Sequence, residues 1–317
     1  MGTPCFAVPI LDALIKSRHN ILAVVTQPDR SKGRSKNLIE SPVKALTTRN
    51  KLKLLQPENI NKDEKIICLL EKLLPDVIIT AAFGQIVSKR ILSIPKYDCI
   101  NIHTSLLPKY RGAAPINRAI INGEDETGVS IIKMAEAMDA GDIIKQDVTK
   151  ISLDEDAEDI ANRLSSLAVK LLLNVIDSYE ENSVKYIQQN EKLVTYANKL
   201  EKDDGIINWK SDSKTIHNLV RGLIPWPCAY SYLQKTNASD KKRLIIKKTY
   251  IDDDCKTNDN NKQPGTINKT SEKGLLVATC DGSIWITRVQ PEGKRIMDAR
   301  DYINGYNISV GDCFISL

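Results

Sequence analysis

The sequence predicts a two-domain chain: an α/β domain on a mostly parallel sheet, followed by a smaller β-barrel or sandwich domain. Three observations carry this. The 317 residues amount to two domains at roughly 150 residues each. In the first half, short β-branched runs alternate with segments of helical period, the pattern of right-handed βαβ crossovers. From Trp209 onward that alternation gives way to short strand-like runs separated by turn-rich segments.

Taken in order, the chain opens on a turn, Met1-Gly2-Thr3-Pro4, without the basic start and apolar stretch of a secretory leader. Phe6, Ile10 and Leu14 then recur at helical spacing, and residues 21–26 read as a strand. Ser41-Pro42 supplies an N-cap followed by proline at the first helical position. Ile66, Leu70, Leu73 and Leu74 mark another helix, and residues 76–80, 99–103 and 128–132 three further strands. A long helix is expected over 156–181 and a short one over 213–221. The second domain then shows strand-like runs at 230–233, 243–247, 265–267, 275–278 and 283–289. These readings divide the chain into 1–183, a linker at 184–202, and 203–317.

Composition narrows the class. Hydrophobic residues make up 42% and charged residues 27%, which excludes a wholly disordered or collagen-like chain. No apolar run approaches the roughly 20 residues that span a bilayer, so a cytoplasmic protein with no membrane partner is expected. The net charge of +5 is mild, but residues 1–55 hold 10 basic and 3 acidic side chains, residues 56–200 hold 17 and 22, and residues 201–317 hold 18 and 15. The basic excess therefore sits at the two ends. Seven cysteines without a C-x-x-C pair read as reduced thiols, neither a disulfide framework nor a zinc site.

The densest segment runs Asn101-Ile-His-Thr-Ser-Leu-Leu-Pro-Lys-Tyr-Arg-Gly-Ala-Ala-Pro115. Asn101 and His103 are two apart on a strand and leave one face, while Ile100 and Ile102 leave the other. The carboxyl end of a parallel strand is where open α/β sheets form ligand crevices. The Ser105-Leu106-Leu107-Pro108 loop offers backbone groups to a flat heterocycle. Asp139, 36 residues after the histidine and just before a glycine turn, could orient the imidazole and favour its cation. Nearer the start, Arg30-Ser-Lys-Gly-Arg-Ser-Lys36 places four cations within seven residues, the physical means of holding phosphates.

These residues carry a resemblance. The stretch from Asn101 to Pro115 with Asp139, plus Gly2-Thr-Pro, is similar to the folate-dependent formyltransferases that use 10-formyltetrahydrofolate. Thr26-Gln-Pro-Asp-Arg-Ser-Lys-Gly-Arg34, Gly112-Ala-Ala-Pro-Ile-Asn-Arg118 and Thr195-Tyr-Ala-Asn-Lys-Leu200 leading to Ile207-Asn-Trp209 resemble the branch of that family acting on methionyl-tRNA. Ile224-Pro-Trp-Pro227 and Gln290-Pro-Glu-Gly-Lys294 extend the resemblance into the second domain. It implies a Rossmann-like catalytic domain followed by an OB-like β-barrel that binds tRNA. It further implies that Asn101, His103 and Asp139 are the catalytic trio, that Ser105, Leu106, Leu107 and Pro108 contact folate, and that Arg30, Lys32, Arg34 and Lys36 contact tRNA. Lys241, Lys242, Arg243, Lys247 and Lys248 would extend that contact. The expected substrates are 10-formyltetrahydrofolate and initiator methionyl-tRNA, with no metal, acting on a monomeric enzyme. A formyltransferase for an amino-sugar nucleotide and an inactive tRNA-binding relative are the alternatives. Cys5 stands where the family carries aspartate. The resemblance also implies a strand before Gly-Thr-Pro, so a short apolar segment is expected ahead of Met1 in the natural product.

Blander readings hold elsewhere. His19 and His217 read as structural. Asp252-Asp-Asp254 with the asparagine-rich run after it lacks the glycine and glutamate of a calcium loop, with Thr257 and Gln263 in their places. No G-x-G-x-x-G follows a strand, which removes the main support for a dinucleotide-binding dehydrogenase.

Overall fold

In the computed structural model of the chain, which describes residues 1–31, 38–236, 239–251 and 263–315, the alternating first half folds around a two-stranded and a four-stranded sheet. Its elements begin with α1 (Ala7–Lys16), β1 (Val24–Val25), α2 (Pro42–Arg49), β2 (Leu54–Leu55) and α3 (Glu64–Leu73). The sheet strands β3 (Ile78–Ala81), β4 (Cys99–His103), β5 (Glu126–Lys133) and β6 (Ile143–Lys150) follow, and then α4 (Ala157–Glu180). Ser41 caps α2 as its sequence position predicts, its side chain accepting the Lys44 N–H at 3.1 Å. Helix α3 stops at Leu73 because Leu74 turns left-handed (φ 45°) and leaves the apolar face.

Strands β1 and β2 pair in parallel, as do β3 and β4 with Ile79 opposite Ile100 and Ala81 opposite Ile102. Between the two pairs lies the start of the chain. The Gly2 N–H donates to Val25 O at 3.0 Å, the Ala81 N–H donates to Met1 O at 2.9 Å, and Gly2 bridges Ala81 in parallel. The Met1 amino group donates to Ile79 O at 2.6 Å, and burial pushes its pKa down to about 6. Beside it, residues 20–25 and 75–79 border a cavity of about 450 Å³, which Leu11, Leu14, Leu70 and Ile176 also line.

The expectation of a mostly parallel sheet is met by the pairings of β1 to β4 and the start of the chain, and two antiparallel strands extend them. β5 runs antiparallel to β4, with His103 opposite Ser130, and β6 runs antiparallel to β5. β6 has no counterpart among the sequence readings. Ile143 alone is buried along it, so this polar edge strand carries no apolar period to read. Val25, Ile60, Ile67, Ile78, Phe83, Val87, Ile91 and Cys99 pack as one core cluster.

The chain divides into two compact units: Met1–Pro115 with Glu126–Lys150 and Ala161–Ala197, and Ile116–Asp125 with Ile151–Ile160 and Asn198–Leu317. The second contains α5 (Ser213–Gly222), β7 (Ala229–Gln234), β8 (Lys241–Tyr250), β9 (Ile267–Ser271), β10 (Gly274–Ala278), β11 (Ser283–Pro291), α6 (Ala299–Tyr306) and β12 (Cys313–Ile315). Its strands follow the order β9-β10-β11-β8-β7-β12. The two ends of that path are tied by backbone bonds from Ile267 N to Asp312 O (2.8 Å), Gly311 N to Ile267 O (3.0 Å) and Phe314 N to Gly265 O (2.8 Å). The path thus returns on itself as an antiparallel barrel. At the seam, a side chain on Gly265 (φ +94°) would place its Cβ 2.2 Å from Phe314 O, so only glycine allows the approach. Trp209 seals the interior, stacking on Phe314 at 5.2 Å and donating its indole N–H to Ser231 Oγ at 2.9 Å. The acidic and asparagine-rich run at 252–261 lies outside the described residues.

His217 keeps the structural role its sequence context predicts. The Leu153 carbonyl accepts from Nε2 at 2.9 Å, which leaves Nδ1 to accept from the Thr249 hydroxyl at 2.9 Å. Burial lowers its pKa, outweighing the Leu153 carbonyl that favours the cation. The unfolded chain therefore takes up a proton near pH 6.5 that the folded chain refuses. Stability from this site is full above that pH and lost as pH falls below it. Thermal unfolding followed from pH 8 to pH 5 should show this loss, and His217→Gln should flatten it; an unchanged slope in the variant would contradict the assignment.

Candidate active site

Strand alternation sets the first two groups. Asn101 and His103 leave the same face of β4 at its carboxyl end. The buried Thr80 hydroxyl lies 2.8 Å from Asn101 Oδ1, which fixes the amide so that Nδ2 donates to Asp139 Oδ1 at 3.2 Å. The remaining amide N–H takes no partner among the described residues. Asp139 reaches the site from a left-handed turn (φ 52°) after β5, and its Oδ2 accepts the Gly112 N–H at 2.9 Å. The His103 ring is buried, with Nδ1 3.5 Å from Asp139 Oδ2 and Nε2 2.9 Å from Tyr110 O. The Tyr110 carbonyl thus accepts from Nε2, and the carboxylate lies beside Nδ1. The structure thus brings Asn101, His103 and Asp139 together, with the imidazole turned inward and the amide and carboxylate toward the rim. Among the described residues, no three His, Cys, Asp or Glu side chains gather as a metal site.

The 105–108 loop forms one wall, and its backbone is held from within. Ser130, fully buried on β5, donates its hydroxyl to Ser105 O at 2.6 Å and accepts the Leu107 N–H at 3.1 Å. Gln146 on β6 donates to Leu107 O at 2.9 Å and to Ser130 Oγ at 2.7 Å. Ser105 Oγ donates to Lys109 O at 2.7 Å, and Leu107–Pro108 is a cis peptide. Leu107 is buried, whereas Leu106 lies half-buried against the Gly128 backbone. Ser130, Gln146, Thr80 and Tyr110 escape sequence reasoning because their parts depend on pairings between distant segments.

The basic segments fall out differently. Arg30 is exposed and donates to Gln27 Oε1 at 3.2 Å, while Lys32, Arg34 and Lys36 lie outside the described residues. Next to Arg30, the Lys44 ammonium, with help from the Gln56 amide, holds the Asp29 carboxyl below the usual carboxylate range. In the barrel, Lys241, Lys242 and Lys248 are exposed. Arg243 lies over the Tyr230 ring at 3.9 Å, and Lys247 Nζ donates to Cys228 Sγ at 3.1 Å.

An amide, an imidazole and a carboxylate thus meet at the carboxyl end of β4. The chain belongs to the formyltransferase family: residues 1–176 match formyl transferase, and residues 199–307 match the formyl transferase C-terminal domain. It is 43% identical over 311 residues to a methionyl-tRNA formyltransferase of Clostridium acetobutylicum, covering 98% of this chain and 97% of the relative. With the methionyl-tRNA formyltransferase of Thermodesulfovibrio yellowstonii it shares 44% over 310 residues, covering 98% and 96%. Among solved structures, it resembles the sugar 3N-formyl transferase WlaRD, determined in the presence of dTDP and 5-N-formyl-THF, with a TM-score of 0.66 and 21% identity over 93% of this chain and 97% of that one. That last likeness is one of fold.

The anchor of Asp139 depends on Gly112, whose φ is +126° and whose Cβ, if it had one, would lie 2.6 Å from Ala197 O. Gly112→Ala should therefore cost about 1–3 kcal/mol in denaturant unfolding. An unfolding midpoint equal to that of the unsubstituted protein would show that the turn does not need glycine.

Proposed function

We propose that the chain transfers the formyl group of 10-formyltetrahydrofolate to the α-amino group of methionine on initiator methionyl-tRNA. The observation that carries this is the near-full-length identity to two methionyl-tRNA formyltransferases, joined to the close grouping of Asn101, His103 and Asp139. The enzyme works as a monomer in the cytoplasm, with residues 1–183 performing the transfer, 184–202 linking, and 203–317 binding tRNA.

The chemistry follows from what the groups can do. Attack of the neutral amine on the formyl carbon forms the new C–N bond and puts negative charge on the formyl oxygen. The outward N–H of Asn101 is a donor for that oxyanion, and a protonated His103 nearby adds positive potential. As the bond to N10 breaks, one proton leaves the amine and one reaches the departing nitrogen, a transfer for which Asp139 and His103 are the available acid–base pair. Folate lies against the 105–108 wall. The fit rests on the rigidity of that wall, since Ser130 and Gln146 fix the loop and leave the half-buried Leu106 and Pro108 to face a flat ring. Arg30, Lys32, Arg34 and Lys36 hold acceptor-stem phosphates, and the exposed barrel cations lengthen that contact.

Formyl transfer from 10-formyltetrahydrofolate to charged tRNA, compared with transfer to an amino-sugar nucleotide, tests the reading. Product is expected with methionyl-tRNA and not with the sugar; the reverse would overturn the substrate assignment. In the same assay Arg34→Ala should raise the KM for methionyl-tRNA and flatten its salt dependence. Unchanged kinetics would remove the loop from the tRNA site.

A further inference from the structure

Asp139 aims its carboxylate from a left-handed turn, and the clamp on that turn comes from a residue fifty positions later. Gln189 is buried and donates both N–H groups of its amide, to Asp139 O at 2.8 Å and to Gly141 O at 2.7 Å. Its Oε1 accepts from Arg111 Nε at 3.0 Å and Nη2 at 2.9 Å. Every hydrogen-bonding position of the amide is thus filled, and its orientation is unambiguous. Flipped, its oxygen would face two carbonyls and its NH₂ a guanidinium. Arg111 is itself buried and turns its far edge to Glu191 Oε1 at 2.7 Å, holding that carboxyl below the usual range. The next residue, Gly112, supplies the N–H that Asp139 Oδ2 accepts. The contacts form a ring: Asp139 side chain, Gly112, Arg111, Gln189, and back to the Asp139 main chain.

We infer that Gln189, oriented by Arg111, is a positioning residue for formyl transfer that sets the direction of the Asp139 carboxylate. This rests on the proposed activity. The ring fixes Asp139 at both ends, side chain through Gly112 and backbone through Gln189, so releasing one end lets the carboxylate turn away from Asn101 and His103. A role confined to holding the 184–197 segment on the domain would affect folding alone.

Gln189→Glu separates these roles, since a carboxylate still accepts from Arg111 but offers no N–H to the two carbonyls. Steady-state kinetics should show kcat lowered by about 100-fold, as expected when a catalytic group is misplaced, with both KM values nearly unchanged. The ¹⁵N shifts of the His103 ring should move as well. Arg111→Lys, which keeps the charge but loses the fork that grips Gln189, should change kcat and the ring shifts in the same direction, and it decides the matter if Gln189→Glu does not fold. A folded variant with an unaltered kcat, or one impaired through KM alone, overturns the inference. If the unsubstituted protein transfers no formyl group, the functional reading fails instead, and the ring shifts then decide: unmoved in both variants, they overturn the positioning role.

Discussion

The site is organised around one carboxylate. Asp139 accepts the Gly112 N–H and the Asn101 amide on separate oxygens and faces the His103 ring. A carboxylate largely removed from water is tolerated only where donors replace its hydration, and charge-assisted bonds of this kind are stronger and more directional than neutral ones. Four distant segments are tied by that requirement: the end of β4, the 111–112 strand, the 139–141 turn and Gln189. None could shift without leaving a donor or the charge unpaired. The arrangement is therefore prepared before substrate arrives, which is what electrostatic stabilisation of a transition state demands.

Around this centre the protein separates rigid from adaptable parts. Ser130 fixes the 105–108 wall through a single buried hydroxyl, and Thr80 does the same for the Asn101 amide. Arg30, Lys241, Lys242 and Lys248 lie instead at exposed positions, where long side chains keep their charge in water. Asn101 and His103 thus sit on a strand and Asp139 on a turn, whereas Arg30 and the barrel residues Lys241, Lys242 and Lys248 are exposed.

Much of this was legible in the residues themselves. Alternation along Cys99–His103 placed Asn101 and His103 on one face, and that strand is found with those limits. The Ser41-Pro42 start and the long helix near 156–181 were equally readable, since capping and period are local properties. Orientation of β5 was not, because antiparallel pairing is decided by the path of the intervening chain. Nor was β6, whose polar edge lacks an apolar period. Family resemblance supplied the likeness of Asp139 to a catalytic aspartate, but its dependence on Gln189 and Arg111 is purely three-dimensional: a buried glutamine in a polar connecting segment looks like any exposed one until the segment is folded.

The central claim is that the Asp139 carboxylate, and not merely the space it fills, carries formyl transfer. The single-turnover rate from 10-formyltetrahydrofolate to methionyl-tRNA in Asp139→Asn, read beside His103→Ala, measures this directly, since Asp139→Asn keeps the side chain's shape and removes its charge. A loss of about 10²–10⁴-fold is expected in each, the usual worth of a positioned acid–base group, with tRNA binding nearly intact. A rate close to that of the unsubstituted protein in Asp139→Asn would contradict it.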